Sequence, residues 1–223
     1  DSSLITAVAS RHRDHIKTFN VRFPGQGKYD EAKYARKISQ HFGTEHIELD
    51  ASTVDEELLI RLARQFDEPI VDSSMIPMFL VSELVQQHCK VVLGGDGGDE
   101  LFGGYEHYSR LLWMNKYFKF MPLFLRQSAA TISSKTMPLG MKGRSWIQSL
   151  RYNLKTEVPL IANYFDPSYR KKLMNGVSPD WQIVGEDILR VRTPKHTDLL
   201  QRSTRMDFCN YLTEDILVKV DRA

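Results

Sequence analysis

Between Ser2 and Leu93 the apolar residues switch back and forth between helical spacing and strand alternation, and this constrains the fold more than any other feature. Leu4, Ile5, Val8 and Ala9 form one apolar face behind Ser2 and Ser3, so the first element is predicted to be a helix with a serine cap. Lys17 to Phe23 (KTFNVRF) reads as a strand, ended by a turn over Pro24, Gly25, Gln26 and Gly27. Asp30 to Phe42 has helical spacing through Ala32, Ala35 and Ile38, and Gly43 stands where a helix C-terminus favours glycine. Glu45 to Leu49 is a second strand. Val54 to Phe66 and Met75 to His88 are helical, and Lys90 to Leu93 is a short β-rich run that stops at glycines. Strands separated by helices of this length imply a parallel sheet covered on both faces. Beyond about Tyr105 the strand signal ends, and helices broken at Pro122, Pro138, Gly143, Pro159, Pro167 and Pro179 take over.

The bulk properties narrow the function by exclusion. A chain of 223 residues can bury a real core. No apolar run approaches the roughly 20 residues of a membrane span, and no signal-peptide pattern opens the chain, so a cytoplasmic protein is expected. The net charge of +2 gives no field that implies nucleic acid. The clusters Arg11 to Arg13 and Arg170 to Lys172 read as solvated faces, and the lysines of NKYFKF around Tyr117 and Phe118 as the flank of an amphipathic helix. Cys89 and Cys209 lie far apart without metal-ligand spacing, which suits a reducing compartment and speaks against structural zinc. The chain enters helical patterning directly at Asp1 and stops at Ala223 without a helix stop signal, as an excerpt of a longer polypeptide would.

The chemistry concentrates in Val91 to Tyr105, VVLGGDGGDELFGGY, where a short apolar run meets six glycines interleaved with Asp96, Asp99 and Glu100. Such a loop belongs at the carboxyl end of a strand, where open parallel sheets bind ligands. Glycines let backbone amides approach an anion, and a helix starting near Leu101 presents its positive end. The carboxylates ask instead for a hard cation, so a magnesium nucleotide satisfies both halves. The stretch lacks GxxxxGK[ST], carries Glu100 where GxGxxG needs its third glycine, and misses the EF-hand spacing. A plain glycine turn with exposed acids is the competing structural reading.

GDGGDELFGGY resembles the GEGSDE(L/V)FGGY signature of glutamine-dependent asparagine synthetases, and Asp1, Ser2 and Ser3 resemble the end of that family's SGGxDSS pyrophosphatase loop. FNVRFPG (Phe19 to Gly25), YDEAKYA (Tyr29 to Ala35), FGTEHIEL (Phe42 to Leu49), DEPIVDSSMIP (Asp67 to Pro77) and VKVDRA (Val218 to Ala223) extend the resemblance in order along the chain; Met114 to Leu200 adds little beyond helical character. The resemblance implies a three-layer α/β parallel sheet of the adenine nucleotide alpha hydrolase-like type followed by a mainly helical half. Residues 1–112 would be the nucleotide-binding part, its first strand missing, and 113–223 the helical part of the same synthetase domain, without the family's N-terminal glutaminase domain.

By the same resemblance, Asp1 and Asp99 would ligate Mg²⁺ on the pyrophosphate of ATP, and Ser2 and Ser3 would bind the phosphates. Val21 matches the position whose backbone holds adenine, and Gly94 and Gly95 match the strand-end residues beside the nucleotide. Asp96, where the family has glutamate, is the candidate for the acceptor side; Gly94 replaces a common serine. Arg222 occupies a basic position facing phosphate charge, and Tyr105 closes the signature near the acceptor, although these positions also admit purely structural roles. The implied reaction is adenylation of a carboxylate followed by attack of ammonia, most simply aspartate to asparagine with ammonia from glutamine. Another acid, such as a sugar acid, or a non-catalytic nucleotide-binding paralogue are the alternatives. The implied partners are small molecules and the glutaminase domain of the full chain, with neither nucleic acid nor membrane; a homodimer is compatible. With half of its phosphate loop missing, the bare chain is expected to be inactive and to bind ATP weakly.

Overall fold

The computed structural model describes residues 1–22, 30–51, 54–66, 72–138, 140–157, 173–174, 188, 191–193, 195 and 198–223. The protein is a mixed α/β chain with a small parallel sheet, and its contacts divide it into two units, Asp1–Gly98 with Leu212–Ala223, and Asp99–Tyr211.

The first unit runs α1 (Ser2–Ala9), β1 (Lys17–Arg22), α2 (Ala32–Phe42), β2 (Glu45–Asp50), α3 (Glu56–Phe66) and α4 (Met75–Val85), and ends with α10 (Leu217–Arg222). β1 and β2 pair in parallel from Lys17 opposite Glu45 to Arg22 opposite Asp50. A parallel pair needs a crossover, and α2 supplies it. Gly43 ends α2 at φ 66°, the left-handed conformation that only glycine adopts without strain. In α3, Leu58, Leu62 and Phe66 recur every fourth residue and stack on one stripe. That stripe is buried with Ala51 and Leu80, under a cover that includes Val21, Phe79 and Ala223. Burying a side chain such as Leu62 or Phe66 contributes about 1.5–3 kcal/mol.

The second unit is helical: α5 (Gly98–Phe102, beginning at the boundary), α6 (Glu106–Phe118), α7 (Leu123–Thr136), α8 (Arg144–Ser149) and α9 (Leu199–Asp207). A π-helical stretch, Phe208–Ile216, leads on to α10. Leu111 and Met114 of α6 form the core with Leu150, Leu154 and Leu199. Two buried arginines hold this unit by bonding backbone. Arg144 donates to the carbonyl of Ser133 (3.2 Å), which also accepts from the Met137 amide (3.0 Å), and to that of Ser134 (3.1 Å), whose place in the helix ladder falls to Pro138, a residue with no N–H; Arg202 donates to the carbonyls of Leu154 and Lys155.

Several local expectations are corrected. Lys90–Leu93 is not a strand: among the described residues β1 pairs only with β2, and Val91, Val92 and Leu93 are exposed, so an apolar run without a strand neighbour stays irregular. Asp1, rather than a serine, stands at the N-cap of α1, without a side-chain capping bond. The helix after the glycine loop starts at Gly98 rather than near Leu101. Pro122 caps α7 and Gly143, at φ 91°, precedes α8, as breaks there require. The turn at Pro24 to Gly27, the breaks at Pro159, Pro167 and Pro179, the cluster Arg170 to Lys172 and the opening of DEPIVDSSMIP lie outside the described residues. Among the described residues no helix is long and apolar enough to cross a membrane.

Candidate functional site

In the first unit the glycine loop and the start of α1 are packed without room for a side chain between them. A methyl group on Gly95 would lie 2.8 Å from the backbone nitrogen of Ser2, 2.8 Å from its hydroxyl and 3.0 Å from the Cβ of Asp1. At Gly98 the carboxyl group of Asp1 occupies the place of a Cβ. Gly97 takes φ +87°, and Gly98 closes the turn by donating to the Gly95 carbonyl at 3.2 Å. Glycine is therefore demanded here by close approach and by backbone conformation together. Asp96 is exposed and folds its carboxylate back over Gly94, 2.8 Å from where a Cβ would stand.

Asp1, Ser2 and Ser3 are all exposed along the edge of this loop. The Asp1 carbonyl accepts from Leu4 (2.9 Å) and Ile5 (3.2 Å), which starts α1 and leaves the amides of Ser2 and Ser3 without an acceptor inside the helix. Two amides, two hydroxyls and a helix N-terminus suit an anion, and the adjacent Asp1 carboxylate suits a cation riding on it. Among the described residues no group of three or more His, Cys, Asp or Glu is arranged to hold a metal. Mg²⁺ takes one or two carboxylates and completes its shell with water and phosphate, so the lone carboxylate of Asp1 beside phosphate donors is of a type that Mg²⁺ can use.

The other predicted residues of this unit lie elsewhere. Val21 sits in β1 opposite Leu49, its side chain against the α3 core. Arg222 reaches the end of α3, donating to the Phe66 carbonyl at 2.6 Å, while its own carbonyl accepts from Gln65 at 3.0 Å. A cation there is favourable because a helix C-terminus carries partial negative charge.

Within the second unit, the Asp99 carbonyl accepts from Gly103 (2.8 Å) and Gly104 (3.0 Å), and its carboxylate occupies the space of a Gly104 side chain. Tyr105 donates to Glu100 at 2.6 Å, and burial, then that carboxylate, push its phenol far above the ordinary tyrosine value. Tyr105 is thus a hydrogen-bond donor that orients buried Glu100, whose second oxygen has no hydrogen-bond partner among the described residues. Next to it, Tyr108 (2.7 Å) and His107 (2.9 Å) converge on Asp207, with Tyr105 stacked on the His107 ring at 5.3 Å.

Sequence reasoning missed a buried ionic group in the first unit. Lys219 of α10 donates to Asp72 at 2.7 Å and to the Ser74 hydroxyl at 2.5 Å, and that hydroxyl donates to Asp72 at 2.6 Å. Asp72 also accepts from the Ser74 backbone at 2.9 Å. Burial alone would raise the Asp72 carboxyl, but the Lys219 and Ser74 bonds outweigh it and hold it below the usual range. Asp215 is displaced the other way, raised by burial and then by the neighbouring charge of Asp72. The available signal was that DEPIVDSSMIP and VKVDRA, two of the family-like stretches, each contain one half of this group.

The chain matches the asparagine synthase family over residues 1–223. It is similar to a Mycobacterium tuberculosis protein provisionally named asparagine synthetase (glutamine-hydrolysing), with 32% identity over 100% of this chain and 34% of that protein. Asparagine synthetase (glutamine-hydrolysing) 1 of Bacillus subtilis is 30% identical over 100% of this chain and 35% of its own. The Zea mays asparagine synthetase (glutamine-hydrolysing) is 27% identical over 86% and 32%. The chain spans about a third of the length of these curated relatives. No solved structure matches it significantly.

Proposed function

Because this chain belongs to the asparagine synthase family, we propose that it is the ATP-using part of a glutamine-hydrolysing amide ligase that converts aspartate to asparagine in the cytoplasm. A carboxylate oxygen of the substrate attacks the α-phosphorus of ATP, the bond to pyrophosphate breaks, and ammonia then attacks the acyl carbon and releases AMP. The glutamine-hydrolysing names of the relatives support glutamine as the source of nitrogen, which a glutaminase domain of the full-length protein would release as ammonia.

In this reading the amides and hydroxyls of Ser2 and Ser3, with Gly94 and Gly95 alongside, hold the phosphates in place before and during transfer. Asp1 and Asp99 would hold Mg²⁺, which when bound supplies neutralising charge to the departing pyrophosphate. The Val21 backbone receives adenine, Asp96 orients the acceptor, Arg222 adds positive charge and Tyr105 keeps Glu100 aligned behind Asp99. The small parallel sheet with its crossover helix is the part of a three-layer nucleotide-binding domain on which this arrangement would be built. The observation that most supports the reading is the packing of Asp1 and Ser2 into the space at Gly95 and Gly98.

Pyrophosphate release and [¹⁵N]asparagine formation by the full-length protein, given ATP, aspartate and [¹⁵N]ammonia, test it. Asp1→Asn and Asp99→Asn are each expected to lower pyrophosphate release by on the order of 100-fold, as loss of a charge-stabilising contact in transfer does. Undiminished release in both variants, or an amide of a different acid as the product, would refute the assignment.

A further inference from the structure

The family reading leaves one face of the second unit unused. From His107 to Thr156 the chain contains no aspartate or glutamate, while nine of its lysines and arginines fall in that stretch, although the whole chain has a net charge of only +2. Arg126 and Arg144 are buried on backbone carbonyls and Arg110 pairs with Glu106. Lys116, Lys119, Lys135 and Lys142 are exposed, and among the described residues they make no ion pair.

The same segment exposes large apolar side chains. α6 turns Tyr108, Leu111 and Met114 into the core, as an amphipathic helix does, yet its opposite side carries Leu112, Trp113 and Tyr117. In the turn after α6, Phe120 is 83% exposed, and Phe124 at the start of α7 is 64% exposed, with Met121 and Leu125 beside them. The Trp113 and Tyr117 rings lie 5.1 Å apart, and the ammonium groups of Lys116 and Lys119 sit over Tyr117 (5.3 Å) and Phe120 (4.9 Å). Contiguous apolar exposure rimmed by charge marks a binding face.

We propose that this face, the end of α6, its following turn and the start of α7, docks the protein on the surface of an anionic lipid bilayer. Trp and Tyr favour the headgroup level, and Phe120, Met121, Phe124 and Leu125 would enter the acyl boundary. The flexible side chains of these exposed lysines can carry their ammonium groups from the rings to lipid phosphates, and the segment's own acid-free sequence adds no carboxylate to repel the phosphates. Single-stranded nucleic acid is the other polyanion such a face could meet. It gains from stacked aromatics, but not from the exposed aliphatic Leu112, Leu125 and Ile132, which partition into hydrocarbon. The docking is peripheral, and it departs from the expectation, drawn from net charge and span length, of a protein without membrane contact.

Vesicle flotation of the full-length protein tests the inference, using phosphatidylcholine with and without phosphatidylglycerol, with an RNA oligonucleotide titration in parallel. The protein should float with the anionic vesicles and be released by salt. Lys116→Gln and Lys119→Gln should each lower the partition coefficient about fivefold, and Phe120→Ser with Phe124→Ser roughly tenfold or more, at unchanged circular dichroism. A full-length protein that does not float, variants that float like the parent, or variants that lose only oligonucleotide binding would each overturn it.

Discussion

Replacing Lys219 with methionine keeps most of the side-chain volume and removes one buried charge. Lys219 and Asp72 have side chains only 7% and 17% exposed, so the pair stands close to the buried limit, where deleting one partner costs about 3–5 kcal/mol through the uncompensated charge left behind. Two features place the expected loss near the bottom of that range, about 3 kcal/mol: Ser74 still offers its amide and hydroxyl to Asp72, and the site is not fully dry. Tryptophan fluorescence does not read α4 and α10 themselves, since neither helix carries a tryptophan. Amide hydrogen exchange does, and amides of α4 and α10 should lose protection on the order of a hundredfold. Asp72→Asn/Lys219→Met should lose clearly less than the sum of the single variants, since neither charge remains stranded. The Asp72 carboxyl lies below its ordinary value in the fold, so the stabilisation it contributes is present above the ordinary carboxylate range and is lost as pH falls through the depressed value. The Lys219→Met penalty should therefore shrink in acid. A penalty under about 1 kcal/mol at neutral pH, or strictly additive variants, would refute the claim that this ion pair joins α10 to the start of α4.

Two further outcomes follow from the same unit. Gly98→Ala must displace the Asp1 carboxyl and Gly95→Ala the start of α1, so each should weaken Mg-ATP binding by the full-length protein at least ~10-fold in calorimetric titration, the loss expected when a positioned contact shifts by about an ångström. Asp215→Asn should raise the urea midpoint at neutral pH and leave it unchanged in strong acid. The fold raises the Asp215 carboxyl, so its ionised form is a cost that is absent below the ordinary carboxylate value and complete above the raised one; a midpoint lowered at neutral pH would contradict this.

The elements the sequence announced best are those set by short-range rules. The stripe of Leu58, Leu62 and Phe66 and the glycine at 43 specify α3 and the end of α2 within one or two turns of chain, and both appear as expected. The glycine loop was recognisable because close approach and positive φ leave no other residue type at Gly95, Gly97 and Gly98. Lys90–Leu93 failed because a β-rich composition only states that a segment would suit a strand; a strand also needs a neighbour to bond. Arg222 could be recognised as basic, but nothing local to it pointed to the carbonyl of Phe66.

By itself, then, the amino-acid order determined the helices, the crossover between two parallel strands, the glycines that admit Asp1 and Ser2, and the likeness to an amide-forming family. All of these depend on spacing, capping and turn chemistry that act over a few residues. Tertiary structure alone decided that Lys219 neutralises Asp72, 147 positions away, that Tyr108 and His107 share Asp207, and that Phe120 remains in water while Met114 does not. Those outcomes depend on which distant surfaces exclude water together, and a charge or a ring carries no record of that until the chain has closed on itself.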